Sequence, residues 1–365
     1  MSAHRGIILH PTSLSNDRAT GALGPESREM LDWMTKANLN IWQTLPTNPT
    51  APNNSPYDAP STFALSTALI SIDDLISEGW LPTLQDPVAT PKGELRARMR
   101  AAANVVAKID LTPFHSNHPW LHDWTCFATL SAEYGRDWTQ WPTLFRDRDT
   151  EALATLTQTH ATEIGLHAAL QWLAEGAWTR FRKEAKKRKI EIWGDLPIYV
   201  SRYSCDVWCN RGLFLLHEDG TPASLSGVPP DDFSPDGQLW GHPIYNVPAH
   251  ISENYQWWMA RVAHLTQQVD RFRLDHFRGL VSMWAVPPEE TTAANGRWLV
   301  GLGQGLLDLL GNLPLYAEDL GFITPEVAKL RDNNGYAGMA VLQFGFESTD
   351  SPHHPSHQLA NQVLV

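Results

Sequence analysis

Two acidic residues close apolar runs in a pattern that suits displacement at an acetal carbon. Asp275 ends the run Val269–Asp275 (VDRFRLD), with Arg273 two residues before it. On a strand, that spacing puts both side chains on one face, where the guanidinium keeps the carboxylate ionised, as a nucleophile requires. A buried structural ion pair would leave the same trace, and the motif alone does not choose between them. Glu318 lies near the end of Leu313–Asp319 (LPLYAED), after small and apolar residues. Burial there would raise its pKa and keep a proton available for a leaving oxygen; the plain alternative is a cap at the strand end. One ionised and one protonated carboxylate on adjacent strand ends, about 5–5.5 Å apart, is the arrangement that retaining glycoside chemistry uses. Asp195, in GDLPIYV, is a third strand-end acid, better placed to bond sugar hydroxyls. The segment Ser226–Asn246 adds rigid Pro229-Pro230, flexible Gly237 and Gly241, and the aromatics Phe233, Trp240 and Tyr245. Three aromatics in so polar a loop either cap the core or stack on a ligand, and this setting favours the ligand.

Such residues need a frame. Six short β-like runs stand out: Gly6–His10, Asn40–Pro46, Ile190–Val200, Val269–Asp275, Leu313–Asp319 and Gly338–Phe346. Their near-continuous apolar character suits parallel strands covered on both sides. Helical patterns separate them. Glu26–Asn38 sets Met30, Trp33, Met34 and Ala37 on one face, and Glu163–Lys187 repeats Leu166, Leu170, Leu173, Ala177 and Phe181 at helical spacing. Trp258, Val262, Leu265 and Val269 mark another helix leading into a strand. Thr324-Pro325-Glu326 opens a further helix, with Gly335 placed to end it. Alternating strands and helices with polar residues at strand ends predict an α/β protein, a (β/α)₈ TIM barrel with its site at the C-terminal face. A helical insertion over 81–162, beginning in the Pro/Thr-rich stretch Leu81–Pro91, and a loop-rich one over 201–249 are expected to lie over the barrel mouth.

Composition narrows the partners. The 365 residues are 42% hydrophobic and 19% charged, ordinary for a globular chain. A net charge of −12 argues against nucleic acid. No apolar run approaches the roughly 20 residues of a membrane span, and MSAHRGIILHP is too short for a signal peptide, which together favour the cytoplasm. The basic run RFRKEAKKRK is read as a solvated face complementing the dipole at a helix end. Cys126, Cys205 and Cys209 are odd in number and match no zinc or CxxC spacing, so buried free thiols are expected. The 16 Trp could supply core mass or flat faces for sugar rings.

At this point a resemblance becomes specific. HPTSL (His10–Leu14), WQTLP to SPYDAPSTFA (Trp42–Ala64), GDLPIYV to DVW (Gly194–Trp208), GVPPDDFSPDGQLWGHPIY, RLDHFRG (Arg273–Gly279), NGRW (Asn295–Trp298), AEDLGFITPEV (Ala317–Val327) and GMAVLQFGF occur in one order. The chain resembles the 4-α-glucanotransferases, or amylomaltases, of the α-amylase superfamily across all but its middle insertion. The resemblance implies Asp275 as nucleophile, Glu318 as general acid/base and Arg273 as the nucleophile's partner. It also implies sugar contacts from Ser55, Tyr57, Asp195, Gln238, Trp240 and Asp319, with Asp231 and Phe344 more peripheral. Malto-oligosaccharides and α-glucans derived from starch or glycogen would be the substrates, with no cofactor or metal. Water in place of the acceptor would make an α-amylase-like hydrolase, and a non-catalytic glucan-binding protein is the rival from another class. Leu65-Ser66-Thr67 stands where the family usually has Gly-Asn-Pro, and Asp232 where an aromatic is frequent. The family's third catalytic aspartate lies in a His-Asp-Asn motif just beyond a point like Gln362–Val365. The barrel is therefore expected to be incomplete at its C-terminus, with the last two strands missing, the first and sixth strands left as exposed edges, and little activity in the chain alone. Asp275 is expected to stay ionised while Glu318 holds its proton nearer neutrality.

Overall fold

A computed structural model describes residues 4–83, 90–231, 234–346, 348–359 and 361–365. Phe233 and Asp232, and residues 84–89 of the Pro/Thr-rich stretch, lie outside the described residues. The chain divides into two units, Met1–Ile192 with Tyr203–Cys209, and Trp193–Arg202 with Asn210–Val365.

In the first unit, strand β1 (Gly6–Ile8) leads through helix α1 (Pro25–Lys36) to strand β2 (Ile41–Gln43), which pairs with β1 in parallel. Pro25 at the first position, Glu26 in the first turn and Lys36 in the last give α1 the charge order its dipole favours. Its buried line is Ser27, Leu31 and Met34, a rotation of the expected face that leaves Trp33 51% exposed. Helices α2 (Pro91–Lys108), α3 (Leu121–Tyr134) and α4 (Ala161–Lys187) follow, with α4 packed against both of the others. Leu170, Leu173, Ala177 and Phe181 of α4 are buried as their spacing predicts. At its basic end, Glu184 takes Lys187 at 2.5 Å and Arg188 at 2.8 Å, so these cations are paired within a solvated helix terminus. Cys126 and Cys205 are buried free thiols and Cys209 is half-buried. Trp42, Trp138 and Trp208 are fully buried, so much of the tryptophan is core mass.

Strand β3 (Glu191–Leu196) carries the chain into the second unit. There follow β4 (Leu225–Val228), β5 (Gln238–Pro243), α5 (Gln256–Gln268), β6 (Arg271–Leu274), β7 (Ser282–Val286), β8 (Arg297–Val300), β9 (Leu315–Ala317), α6 (Pro325–Asn333), β10 (Gly338–Ala340) and β11 (Gln362–Leu364). β3 pairs with β6 and β6 with β9, both in parallel. A parallel bridge, Tyr316 to Ala337, leads on toward β10, and β10 pairs with β11. Spatial order follows chain order without reversal. A doubly wound sheet reverses at its switch point, whereas a (β/α) barrel does not, and these strands progress as a barrel does. Two expectations are corrected here. Gln362–Leu364 is itself a parallel strand, so the last two strands are not both missing, and the sixth strand, β10, is paired rather than left as an edge. The sixth run is also shorter than expected, because the chain turns helical from Leu342 to Gly345. Thr324 and Gly335 sit at the ends of α6 as expected, although the Thr324 side chain makes no capping bond.

A second, antiparallel sheet has the order β5-β4-β7-β8. It carries Gln238, Trp240 and Trp298 on β5 and β8, and β4 and β5 fall within the segment read as loop-rich. Gly227 makes the close approach of β4 and β5 possible, since a Cβ there would lie 2.3 Å from the Gln238 carbonyl oxygen. Gly227→Ala is expected to cost about 1–3 kcal/mol, because backbone rather than a flexible side chain must give way. Urea unfolding should show the loss; an unchanged midpoint would mean that β5 moves freely.

Candidate active site

On β6, Phe272 and Leu274 are buried, which turns Arg273 to the opposite face. The register sets Asp195 of β3 directly opposite Arg273. Arg273 Nε and Nη2 donate to the two Asp195 carboxylate oxygens at 3.1 and 3.0 Å, and Nη2 also donates to Asp275 Oδ1 at 2.7 Å. A single guanidinium therefore serves two carboxylates. The Asp195 side chain is 1% exposed and that of Asp275 is 28% exposed, so the arginine anchors to the wall and steadies the acid that still reaches the cleft.

The ladder continues past the strand ends. Asp275 N–H donates to the Leu196 carbonyl and Glu318 N–H to the Leu274 carbonyl, each at 3.0 Å. The next residue, His276, turns left-handed with φ +50°, an uncommon conformation for a residue other than glycine. That turn aims its N–H at Glu318 Oε2 (2.8 Å), while Leu320 N–H reaches Oε1 (3.1 Å). Both oxygens of Glu318 are thus held by backbone.

Burial raises the Asp275 pKa to about 7, and the charges of Asp195 and Glu318 add to it against the pull of Arg273. Burial also raises Glu318, opposed by Arg273 and by the two N–H bonds. This departs from the expectation that Asp275 stays ionised beside Arg273 while Glu318 holds its proton: the arginine is shared with Asp195, and Glu318 stands nearby. Two neighbouring acids that resist joint ionisation hold one proton between them near neutrality. His276 is pushed down to about 3 by burial and so is neutral.

Asp231, Gln238, Trp240, Arg273, Asp275, Glu318 and Phe344 line one cleft of about 790 Å³. Trp240 stands edge-on to His276 with centroids 4.7 Å apart, and its Nε1 donates to Gln238 Oε1 at 3.1 Å. Asp319 is directed elsewhere, taking Arg331 and the Met339 N–H (2.7 Å). Tyr245 is core, with its hydroxyl donating to the Ile198 carbonyl. Ser55 and Tyr57 belong to the first unit, where Tyr57 N–H donates to Ser55 Oγ. His276, Arg278, Trp298 and Phe322 also line the cleft. His276 and Arg278 fall within RLDHFRG, Trp298 within NGRW and Phe322 within AEDLGFITPEV, and the aromatic content of those runs is the only signal the sequence carries for them.

The chain is similar to several known proteins. The profile of the 4-alpha-glucanotransferase family matches residues 9–365. The chloroplastic/amyloplastic 4-alpha-glucanotransferase of Arabidopsis thaliana is 36% identical over 98% of this chain, which spans 66% of that protein, just under two thirds. The 4-alpha-glucanotransferase of Aquifex aeolicus is 37% identical over 98% of this chain and 77% of its own length. An amylomaltase from Streptococcus agalactiae, solved in complex with acarbose, superposes with a TM-score of 0.93 at 31% identity, covering 99% of this chain and 78% of its own.

Proposed function

Because the chain belongs to the 4-alpha-glucanotransferase family, we propose that the full-length protein moves an α-1,4-glucan segment from a donor to the 4-hydroxyl of an acceptor sugar. The observation that carries this reading is the placement of Asp275, Arg273 and Glu318 in one cleft on neighbouring strand ends. In the first displacement, an Asp275 oxygen bonds to the donor's anomeric carbon as the bond to the leaving 4-oxygen breaks, and the Glu318 proton passes to that oxygen. In the second, the acceptor's 4-oxygen bonds to the same carbon, its proton returns to Glu318, and the ester bond to Asp275 breaks. Two inversions leave the α configuration intact, and no co-reactant is needed.

Arg273 orients Asp275 and offsets its charge when the ester breaks. Asp231, Gln238, Trp240 and Phe344 line the cleft and would contact the glucan there. By family resemblance Ser55 and Tyr57 take further sugar hydroxyls, whereas Asp195, 1% exposed and held by Arg273, would act through that arginine and not on the sugar directly. Asp319, held by Arg331 and Met339 N–H, would act from behind the wall. Malto-oligosaccharides are the natural substrates of such a site, and a net charge of −12 is ill-suited to nucleic acid. Among the described residues no helix is long and apolar enough to cross a membrane. Cytoplasmic residence suits three free thiols, which persist in reducing compartments.

Maltotriose separates the readings. A ladder of longer sugars supports transfer, shorter products alone indicate a hydrolase, and no change indicates a binding protein. The pH profile should be bell-shaped. Activity needs Asp275 ionised, so it rises with pH through the range near 7 to which burial pushes that group. It falls again when the pair loses its shared proton. A profile flat from about pH 5 to about pH 8 would remove the shared-proton account.

A further inference from the structure

Phe322 lines the catalytic cleft yet is 69% exposed, so its ring buries little in the free protein. Its backbone, by contrast, is pinned. Arg278 is 5% exposed, and its Nη1 donates to the Phe322 carbonyl at 2.6 Å while Nη2 donates to Ser282 Oγ at 3.1 Å. The same guanidinium lies 3.9 Å from the Trp298 ring centroid and 5.5 Å from that of Phe322. One buried cation thus ties the loop after β9 to strand β8 and leaves two aromatic surfaces open, Trp298 being 37% exposed.

The position in the chain gives this shelf its side. Phe322 follows Glu318 by four residues on the same loop. Glu318 is assigned the proton of the leaving oxygen, so its loop runs along the flank where the leaving sugar departs and the acceptor enters. A neutral pyranose offers axial C–H groups to an aromatic face and needs no opposite charge.

We propose that Phe322, buttressed by Arg278 and Trp298, is a stacking platform for a glucose or malto-oligosaccharide acceptor and so sets the preference for sugar over water. The proposal rests on the transferase reading and on Glu318 as its acid/base. An acceptor held on this shelf presents its 4-hydroxyl to the ester on Asp275 at higher effective concentration than free sugar. Water gains nothing from the ring.

The test uses the full-length enzyme with maltotriose as donor and maltose as varied acceptor. Phe322→Ala should raise the acceptor KM about 3- to 10-fold and lower the ratio of transfer to hydrolysis by a similar factor. Phe322→Tyr, which keeps the ring, should restore both. An unchanged acceptor KM in Phe322→Ala would overturn the proposal. So would transfer and hydrolysis falling together with their ratio preserved, since that is what a merely structural role predicts. Wild-type ladder formation checks the transferase reading separately, and its absence would overturn both.

Discussion

Glu318→Gln is expected to lower transfer between unactivated glucans by about 10³-fold, within the range for loss of a positioned proton donor. The amide keeps the size of the side chain but cannot give a proton to the leaving 4-oxygen. It also discards one of the two backbone bonds, since His276 and Leu320 N–H are aimed at different oxygens and the NH2 that replaces one of them cannot accept. The defect should depend on the leaving group. An α-glucosyl or α-maltosyl fluoride expels an anion that needs no protonation, so the variant should still form its ester on Asp275. Acceptor attack is then slow for want of a base, and the ester accumulates. Mass spectrometry of a peptide containing Asp275 should show the added glycosyl unit. Removing the Glu318 charge should also lower the Asp275 pKa, because that charge helps to raise it. The acid limb of fluoride consumption therefore shifts to lower pH. A variant that turns over maltotriose at a tenth of the wild-type rate or better would remove Glu318 from its assigned role.

Several of these features are local and so can be read along the chain. In VDRFRLD, alternation alone places Arg273 and Asp275 on one face, and Thr324-Pro325 marks the start of a helix. The pKa of Asp275 is not local. It depends on Asp195, which comes 78 residues before Arg273 and faces it only through strand register. His276 carries no mark of its left-handed backbone, because nothing in its side chain demands that conformation. Strand β11 is three residues long and without alternation, so it is recognisable only beside β10. The sheet holding Trp240 and Trp298 escaped for a related reason. Its outer strands β5 and β8 are largely exposed or half-exposed, their apolar and polar residues are mixed, and the pairing passes between distant segments. Trp33 shows the opposite failure, since its apolar character invites burial but the packing of α1 turns a different line inward.

Removing Arg273 should produce the largest loss of stability at the site. In Arg273→Met the carboxylate of Asp195, 1% exposed, loses both bonds from its bidentate partner. Breaking a buried pair from one side costs about 3–5 kcal/mol, because the remaining buried charge loses its counter-charge. Replacing both partners is far less costly, so Arg273→Met with Asp195→Asn should recover most of the stability. The pH dependence follows from the same charges. Asp275 already sits at about 7, against an unfolded value near 3.8. Loss of the cation raises the folded values further. A carboxyl raised on folding binds protons more tightly in the native state, so its contribution to stability is fully present below the unfolded pKa and is lost as pH rises through the folded one. The deficit of Arg273→Met relative to wild type should therefore be greatest above neutrality and shrink as the solution is acidified toward about pH 5. Urea unfolding of wild type, the single variant and the double variant at two pH values measures all of this. A deficit below about 1 kcal/mol, or one independent of pH, would mean that water reaches Asp195 when the guanidinium leaves.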